Sequence, residues 1–163
     1  MATKASGGMP SCWRAAAFRE ASAGDALELK ELYFEHLTKY PPTEEQDMDV
    51  WKTMLAEFRA DPYMYILVAE EDGRVVSSVQ LAIIRSLTHN VRPFAVIENV
   101  VTHADYRQRG YASALLQRAS EIAAEHNCYK VTLETGSNRE STLNFYRKNG
   151  FAIDEKHSCL KRL

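Results

Sequence analysis

The chain carries the sequence Tyr-Arg-Gln-Arg-Gly-Tyr-Ala at residues 106–112, and the residues on both sides of it are strongly patterned. The preceding stretch, 95–102, is an apolar run that predicts a strand. After it, apolar residues recur at the three- and four-residue spacing of one helix face, namely Ala112, Leu115, Leu116, Ala119, Ile122 and Ala123. A short loop with arginines and a glycine therefore leads from a strand directly into a helix.

A helix start of this kind suits a phosphate group. Its first backbone N–H groups have no acceptor within the helix, and they carry the positive end of the helix dipole. Gly110 and Ala112 keep the backbone accessible because they have little or no side chain. The sequence contains neither a Walker loop nor the three spaced glycines of a dinucleotide site. We therefore predict phosphate binding by backbone N–H groups with support from Arg107 and Arg109; the alternative is that these arginines are plain surface charges.

A second motif, Leu-Asn-Phe-Tyr-Arg-Lys-Asn-Gly-Phe at residues 143–151, predicts the end of a helix. Basic Arg147 and Lys148 fall in the last turn, and Gly150 suits the position just after it, where the backbone often turns left-handed. Phe151 would then begin a following strand.

Together the two motifs resemble those of the GNAT acetyltransferase superfamily. In that family, Arg/Gln-x-x-Gly-x-Gly/Ala holds the pyrophosphate of acetyl-coenzyme A, and Tyr-x-x-x-Gly-Phe ends the domain with its Tyr near the coenzyme A sulfur. The resemblance implies acetyl-coenzyme A as co-substrate, with Tyr146 near the sulfur. It implies a pyrophosphate loop made of Arg107, Gln108, Arg109, Gly110, Tyr111, Ala112 and Ser113. The family's Asn seven residues before the Tyr is Arg139 here, so Asn138 is the residue expected at the pantetheine arm.

The other elements follow from shorter signals. Asp72-Gly73 predicts a hairpin between strands at 63–71 and 74–84. Asp25 with Glu28, and Thr43 with Gln46, predict the capped starts of two earlier helices. Strands are also predicted at 13–20 and 129–135, and a short helix at 140–148.

The predicted order, β-α-α-β-β-β-α-β-α-β, is similar to the GNAT order over nearly the whole chain after residue 12. It indicates an α/β (α+β) fold with a mixed, mostly antiparallel sheet of six to seven strands flanked by about four helices. The resemblance implies that strands 95–102 and 129–135 splay apart at the coenzyme site. Backbone groups of Val100, Val101 and Thr102 would then bind the pantetheine arm, and an N–H of the same strand would contact the acetyl oxygen. We expect one domain at 13–163 after a disordered tail at 1–12.

The composition excludes several classes of protein. Of the 163 residues, 45% are apolar and 26% are charged, which is typical of soluble globular domains. The net charge of −2 does not indicate the basic surface that a nucleic-acid partner needs. No stretch approaches the roughly 20 apolar residues of a membrane span, and the first ten residues lack the apolar segment of a signal peptide. Three separated cysteines indicate a reducing compartment, and five histidines lack metal-ligand spacing. We therefore predict a cytoplasmic protein without a metal.

Glu98 is the candidate general base, because it is the only acidic residue inside an apolar strand. Burial there would disfavour the charged carboxylate and raise its pKa. Strand alternation places Glu98 on the same face as Val96 and Val100 unless a bulge intervenes. The alternative is a structural carboxylate paired with Arg85 or Arg92.

Tyr146 is the candidate acid for the departing thiolate, and the alternative is that it only packs in the core. Glu134 would either contact the substrate or be a solvated carboxylate. No cysteine lies within the matched motifs, so direct transfer in a ternary complex is expected, without an acyl-cysteine intermediate.

Residues 97–101, 127–134 and 144–151 are similar to the glucosamine-6-phosphate N-acetyltransferases within the superfamily. Two departures keep the acceptor open: Asn99 stands where those enzymes have Asp, and the stretch 136–142 is longer. The interpretation is an N-acetyltransferase acting on a primary amine of a small acceptor. The alternatives are glucosamine-6-phosphate itself, or a module that binds acyl-coenzyme A without turnover. The resemblance also makes a homodimer an expectation.

Overall fold

The computed structural model describes residues 16–155 and 157–162. The predicted tail at 1–12 and the first residues of the strand predicted at 13–20 lie outside these residues. The single domain predicted for 13–163 therefore stays a prediction.

The described residues follow the predicted order of strands and helices, with one additional short helix before the fourth strand and no strand after the last helix. The strands are β1 Ala16–Glu20, β2 Met64–Glu71, β3 Arg74–Ile84, β4 Phe94–Thr102 and β5 Val131–Leu133. The helices are α1 Ala26–His36, α2 Met48–Ala60, α3 Thr88–Val91, α4 Tyr111–Glu125 and α5 Glu140–Lys148. Within the described residues, none of these helices has both the length and the apolar character needed to span a membrane.

The five strands form one sheet in the order β1-β2-β3-β4-β5. The first four are antiparallel neighbours, and β5 runs parallel to β4. The predicted fold class and the mixed, mostly antiparallel sheet are confirmed, but the predicted six to seven strands are not. Among the described residues no strand follows Phe151: only Phe151 and Ile153 pack against the core, and the described residues after Ile153 are exposed, so the apolar alternation is too short to hold a further strand on the sheet. The predicted count of about four helices misses α3, a single turn with left-handed backbone at His89, Asn90 and Val91.

The sheet has an apolar core on each face. On one face, α4 buries Leu115, Leu116, Ala119 and Ile122 against strand residues that include Leu81 and Ile97. On the other, α1 and α2 bury Leu29, Leu32 and Leu55 against Ile66 and Val68. The apolar stripe predicted for α4 therefore forms its buried face.

Two turn signals are realised as predicted. Asp72 and Gly73 have φ of 52° and 77°, so both adopt the left-handed backbone of a tight hairpin turn. At the end of α5, Gly150 has a φ of 86°. Its N–H donates to the Arg147 carbonyl at 3.0 Å, and the Phe151 N–H donates to the Tyr146 carbonyl at 3.1 Å. This pair of bonds closes the helix as a Schellman motif.

Asp25 is the N-cap residue of α1, as predicted, but the predicted side-chain capping bond is absent, and the predicted start of α2 at Thr43 is wrong. Asp25 does not cap α1 through its side chain, and its carboxylate instead accepts the Ser22 N–H at 2.7 Å, one turn earlier. The Glu28 carboxylate accepts the Val75 N–H at 2.5 Å, so it ties α1 to the sheet. Helix α2 begins at Met48 and is capped by Asp47, whose side chain accepts the Asp49 N–H at 2.9 Å. At α2 a nearby acidic side chain, Asp47, caps the helix in place of the predicted Thr43.

Replacing Asp25 by Asn should destabilise the fold. The Arg19 guanidinium donates to both Asp25 oxygens, at 2.8 and 2.7 Å, and this hydrogen bonding lowers the pKa of the Asp25 carboxyl. Loss of the charge from this mostly buried group should cost about 1–3 kcal/mol of unfolding free energy at neutral pH. Folding lowers the pKa of the Asp25 carboxyl, so the native protein should be more stable than the variant above the unfolded-state pKa of about 3.9. This difference in unfolding free energy should disappear as the pH falls through the folded-state pKa of Asp25.

Urea unfolding at several pH values measures this difference. The matched control is Asp49→Asn, since Asp49 forms an exposed ion pair with Lys52 at 3.0 Å, and such pairs contribute about 0–1 kcal/mol. Equal costs for the two variants at neutral pH would contradict the prediction.

Candidate active site

Strands β4 and β5 pair over only three residues before they part. Ala95, Val96 and Ile97 lie opposite Val131, Thr132 and Leu133, where β5 ends. Strand β4 continues to Thr102 with pairing only to β3 on its other side. The backbone of β4 beyond Ile97 therefore lines a gap at the edge where β5 has ended. This gap is the splay expected between strands 95–102 and 129–135.

A bulge in β4 sets which side chains face this gap. Asn99 has a φ of 52°, and the register with β3 shifts between the pairs Gln80–Glu98 and Ser78–Val101. The bulge interrupts the alternation of faces. Val100 packs into the core on the α4 face together with Ile97, while Val101 belongs to the core beneath α1.

The expectation that Glu98 and Val100 share a face is therefore wrong, because the extra residue of the bulge lies between them. Glu98 lies on the face of α1 and α2, opposite Gln80. The Asn99 amide donates to the Gln80 side-chain oxygen at 2.8 Å, so these two side chains form a neutral pair.

The Glu98 carboxylate is exposed, and among the described residues it has neither an ion pair nor a hydrogen bond. The prediction that the Glu98 carboxylate is buried away from water is therefore wrong. The expected alternative, a pair with Arg85 or Arg92, is wrong as well. Arg85 donates to the Tyr63 hydroxyl at 2.7 Å, and Arg92 donates to the carbonyl oxygens of residues 127 and 128, both at 3.1 Å. Glu98 thus keeps all its acceptor capacity for water or a ligand.

Tyr146 is buried at the start of the last turn of α5, and its ring contacts Phe145 and Phe151. Its hydroxyl forms no hydrogen bond with any described residue. Burial raises the pKa of Tyr146 above its ordinary value, and the negative charge of Glu98 raises it further. The Tyr146 hydroxyl therefore stays protonated at neutral pH and has a hydrogen that no described residue accepts.

The loop before α4 has the backbone form that anion binding requires. Gly110 occupies the N-cap with a φ of 88°, a left-handed conformation that favours glycine. The first helical bond runs from the Ala114 N–H to the Gly110 carbonyl at 3.0 Å. The N–H groups of Tyr111, Ala112 and Ser113 precede it and have no acceptor within the helix. Gln108, with a φ of 62°, shapes the turn that leads into this helix start.

The side chains of this loop serve mainly to hold it in place. The Tyr111 hydroxyl donates to Glu71 at 2.6 Å, and burial together with this carboxylate raises the pKa of Tyr111 to about 12. Arg109 forms an ion pair with the same Glu71 at 3.2 Å and donates to the Asp105 carbonyl at 3.0 Å. Arg107 donates to the Thr102 carbonyl at 3.3 Å. Tyr111 is therefore available to a ligand only through its backbone.

Sequence reasoning missed Glu71 and Ser77. Glu71 fastens the loop to the end of β2, and the Ser77 hydroxyl donates to the Val101 carbonyl at 2.7 Å and lies 2.8 Å from the Thr102 hydroxyl. No local pattern marks either residue, because both act through contacts far away in the sequence.

The remaining predicted residues lie in the loop between β5 and α5. Asn138 and Glu134 are both exposed there, and no described residue forms a hydrogen bond with either side chain. The described ranges also contain no group of three or more histidine, cysteine, aspartate or glutamate residues arranged to hold a metal ion.

Comparisons with known proteins agree with this geometry. A model described as the Acetyltransferase (GNAT) family matches residues 27–151. Over 125 residues, covering 77% of this chain and 82% of the relative, the chain is 33% identical to a glucosamine 6-phosphate N-acetyltransferase of Trypanosoma brucei brucei. A solved structure of a putative acetyltransferase from Agrobacterium tumefaciens str. C58 has a TM-score of 0.80 and 36% identity, covering 90% of this chain and 99% of that one.

A third structure shows the same fold at much lower identity. AAC(6')-Iy, in complex with the bisubstrate analogue CoA-S-monomethyl-acetylneamine, has a TM-score of 0.72 and 15% identity, covering 91% of this chain and 98% of that one.

Proposed function

Because this chain belongs to the GNAT acetyltransferase family, we propose that it transfers the acetyl group of acetyl-coenzyme A to a primary amine of a small acceptor, by direct attack in a ternary complex. The observation that carries the proposal is the gap beside β4. Glu98 carries an exposed carboxylate there, and Tyr146 of α5 carries a hydroxyl whose pKa the charge of Glu98 helps to raise. Neither group has a partner among the described residues, and the next loop along the chain opens the start of α4.

The residues around the gap suit coenzyme A. The backbone N–H groups at the start of α4 would hold the pyrophosphate, and Arg107 adds positive charge beside them. The β4 backbone from Val100 to Thr102 would meet the pantetheine arm, with Asn138 as a further contact. Bound acetyl-coenzyme A supplies the activated thioester.

Glu98 would take the proton of the attacking amine, directly or through one water molecule. Its exposure and lack of partners in the described residues leave both routes open. A positioned general base contributes about 10²–10⁴-fold to the rate. A backbone N–H of β4 at the bulge would stabilise the charge that develops on the acetyl oxygen, as a single-donor oxyanion hole.

Tyr146 would donate a hydrogen bond to the departing sulfur. Its pKa is raised above the ordinary value of about 10, whereas a thiol has a pKa of about 8.5, so its hydroxyl stabilises the thiolate without fully giving up its proton. A hydrogen bond to a charged group contributes about 1.5–3 kcal/mol.

Tyr146→Phe should therefore lower kcat by about 10- to 100-fold while coenzyme affinity changes little. Steady-state kinetics together with calorimetric titration of coenzyme A measure the two effects. The matched control is Tyr63→Phe, which removes a hydroxyl bonded to Arg85 outside the gap and should leave kcat unchanged. Equal kcat values for both variants and the native protein would remove Tyr146 from the mechanism.

Release of free thiol from acetyl-coenzyme A, measured against a broad panel of primary amines, tests the proposal as a whole. The second candidate acceptor is glucosamine-6-phosphate, which the 33% identity to the trypanosomal enzyme supports, so it belongs in the panel. Tight coenzyme A binding with no turnover of any amine would favour the alternative of a non-catalytic binding module. The cytoplasmic location and the homodimer stay predictions, and sedimentation velocity tests the latter.

A further inference from the structure

An apolar cavity lies on the face of the sheet that carries Glu98. Its volume is about 240 Å³, and it is lined by Tyr33 of α1, by Val50, Trp51, Met54 and Phe58 of α2, and by Ile66 of β2. Val50 and Met54 are 59% and 43% exposed, so the cavity opens to solvent along α2. An engineered apolar cavity of about 150 Å³ can hold benzene, so this cavity has room for one aromatic ring or a branched alkyl group.

The cavity and Glu98 lie in one row across the sheet. Ile66 on β2 pairs with Gln80 on β3, and Gln80 pairs with Glu98 on β4. Directly paired residues point to the same face, so the floor of the cavity and the carboxylate share one surface. Two strand spacings separate them, which is about 10 Å. A small molecule that bridges them would lie over Gln80.

The chemistry of this surface is apolar at one end and anionic at the other. None of the described residues that line the cavity is charged. The nearby basic groups on α2 have other partners: Lys52 pairs with Asp49 at 3.0 Å, and Arg59 donates to the Ala21 carbonyl at 3.5 Å. The described residues that line the cavity offer no cation to a phosphate group on the acceptor. An ammonium group would find the Glu98 carboxylate, which has no partner among the described residues.

We propose that the acceptor of this enzyme is an arylalkylamine or a similar primary amine with one bulky apolar group, which occupies the cavity beneath Trp51 while the amine lies at Glu98. This inference rests on the proposed acetyl transfer and adds the class of acceptor. The centroid of the Trp51 ring lies 6.4 Å from that of Tyr33 and 6.0 Å from that of Phe34. The aromatic wall of the cavity is therefore packed against two rings of α1.

The test compares 2-phenylethylamine with ethanolamine and glucosamine-6-phosphate in the native protein and in the double variant Val50→Asn, Met54→Gln. Burial of a phenyl group should give 2-phenylethylamine a 10- to 100-fold higher kcat/KM than ethanolamine, and the double variant should lose most of this advantage. Leu27→Asn is the matched control, because Leu27 is 54% exposed on α1 and does not line the cavity. It should leave the preference unchanged.

A binding measurement separates this inference from the proposed function. Calorimetric titration of 2-phenylethylamine into protein loaded with desulfo-coenzyme A should show binding that the double variant loses and the Leu27 variant keeps. If this pattern appears and no amine is acetylated, the pocket assignment holds and acetyl transfer is refuted. If hydrophilic amines are acetylated at least as well as 2-phenylethylamine, the proposed function holds and the acceptor class is wrong. Absence of binding, or a homodimer that only the double variant dissociates, would overturn the pocket assignment.

Discussion

Gly110→Glu should reduce the affinity for coenzyme A by at least about 100-fold. The carboxylate would lie at the start of α4, where the N–H groups of Tyr111, Ala112 and Ser113 have no helical acceptor. It would repel the pyrophosphate and compete for the same donors. Loss of two charge-assisted hydrogen bonds at about 1.5–3 kcal/mol each accounts for this factor. Calorimetric titration of coenzyme A measures it directly.

The backbone at this position needs its own control. Gly110 has a φ of 88°, so any side chain there also costs about 1–2 kcal/mol of stability. Gly73→Glu carries the same residue at a φ of 77°, and its Cβ would meet no atom within 4 Å. Both variants should lower the free energy of unfolding by a similar amount, but only Gly110→Glu should lose the coenzyme. Unchanged coenzyme affinity in a folded Gly110→Glu protein would refute the loop assignment.

The parts of the fold that were predictable from sequence are those with strong local signals. The apolar stripe of α4, the Asp72-Gly73 hairpin and the glycine end of α5 each arise from residues within one turn or one face. Local energetics and tertiary packing agree there, so pattern and structure coincide. The side-chain cap of α1 and the start of α2 were mispredicted, because residue spacing does not show which N–H group a side chain accepts: Asp25 accepts the Ser22 N–H, and Asp47 caps α2.

The site depends more on contacts between distant residues, and this limits what sequence reveals. The bulge at Asn99 inserts one residue into an apolar run without changing its composition, so simple alternation misplaces Val100 relative to Glu98. The bonds from Glu71 to Arg109 and Tyr111 join residues about 40 positions apart, and no local pattern predicts such a choice of partner. The position of the loop between a strand and a helix was readable from sequence, but the way it is anchored was not.

Glu98→Gln should lower kcat by about 100-fold or more and leave coenzyme affinity unchanged, because a general base acts only in the chemical step. The acidic limb of the pH–rate profile should flatten with it. Since Glu98 forms no ion pair or hydrogen bond with the described residues, the variant should unfold at the same urea concentration as the native protein, so a loss of activity reports chemistry and not folding. Glu57→Gln is the matched control, because Glu57 is also an exposed carboxylate, on α2, and belongs neither to the site nor to the cavity lining.

The same substitution has a readout that does not depend on catalysis. The charge of Glu98 contributes to the raised pKa of Tyr146, although burial is the larger cause. Removing this charge should therefore lower the pKa of Tyr146 part of the way toward its ordinary value, as followed by NMR of ring-labelled tyrosine. A shifted Tyr146 titration together with an unchanged kcat would place Glu98 at the site but deny it the role of base. An unchanged titration together with a low kcat would mean that Glu98 acts on the amine at a distance from Tyr146, and the two residues would then serve opposite sides of the acetyl group independently.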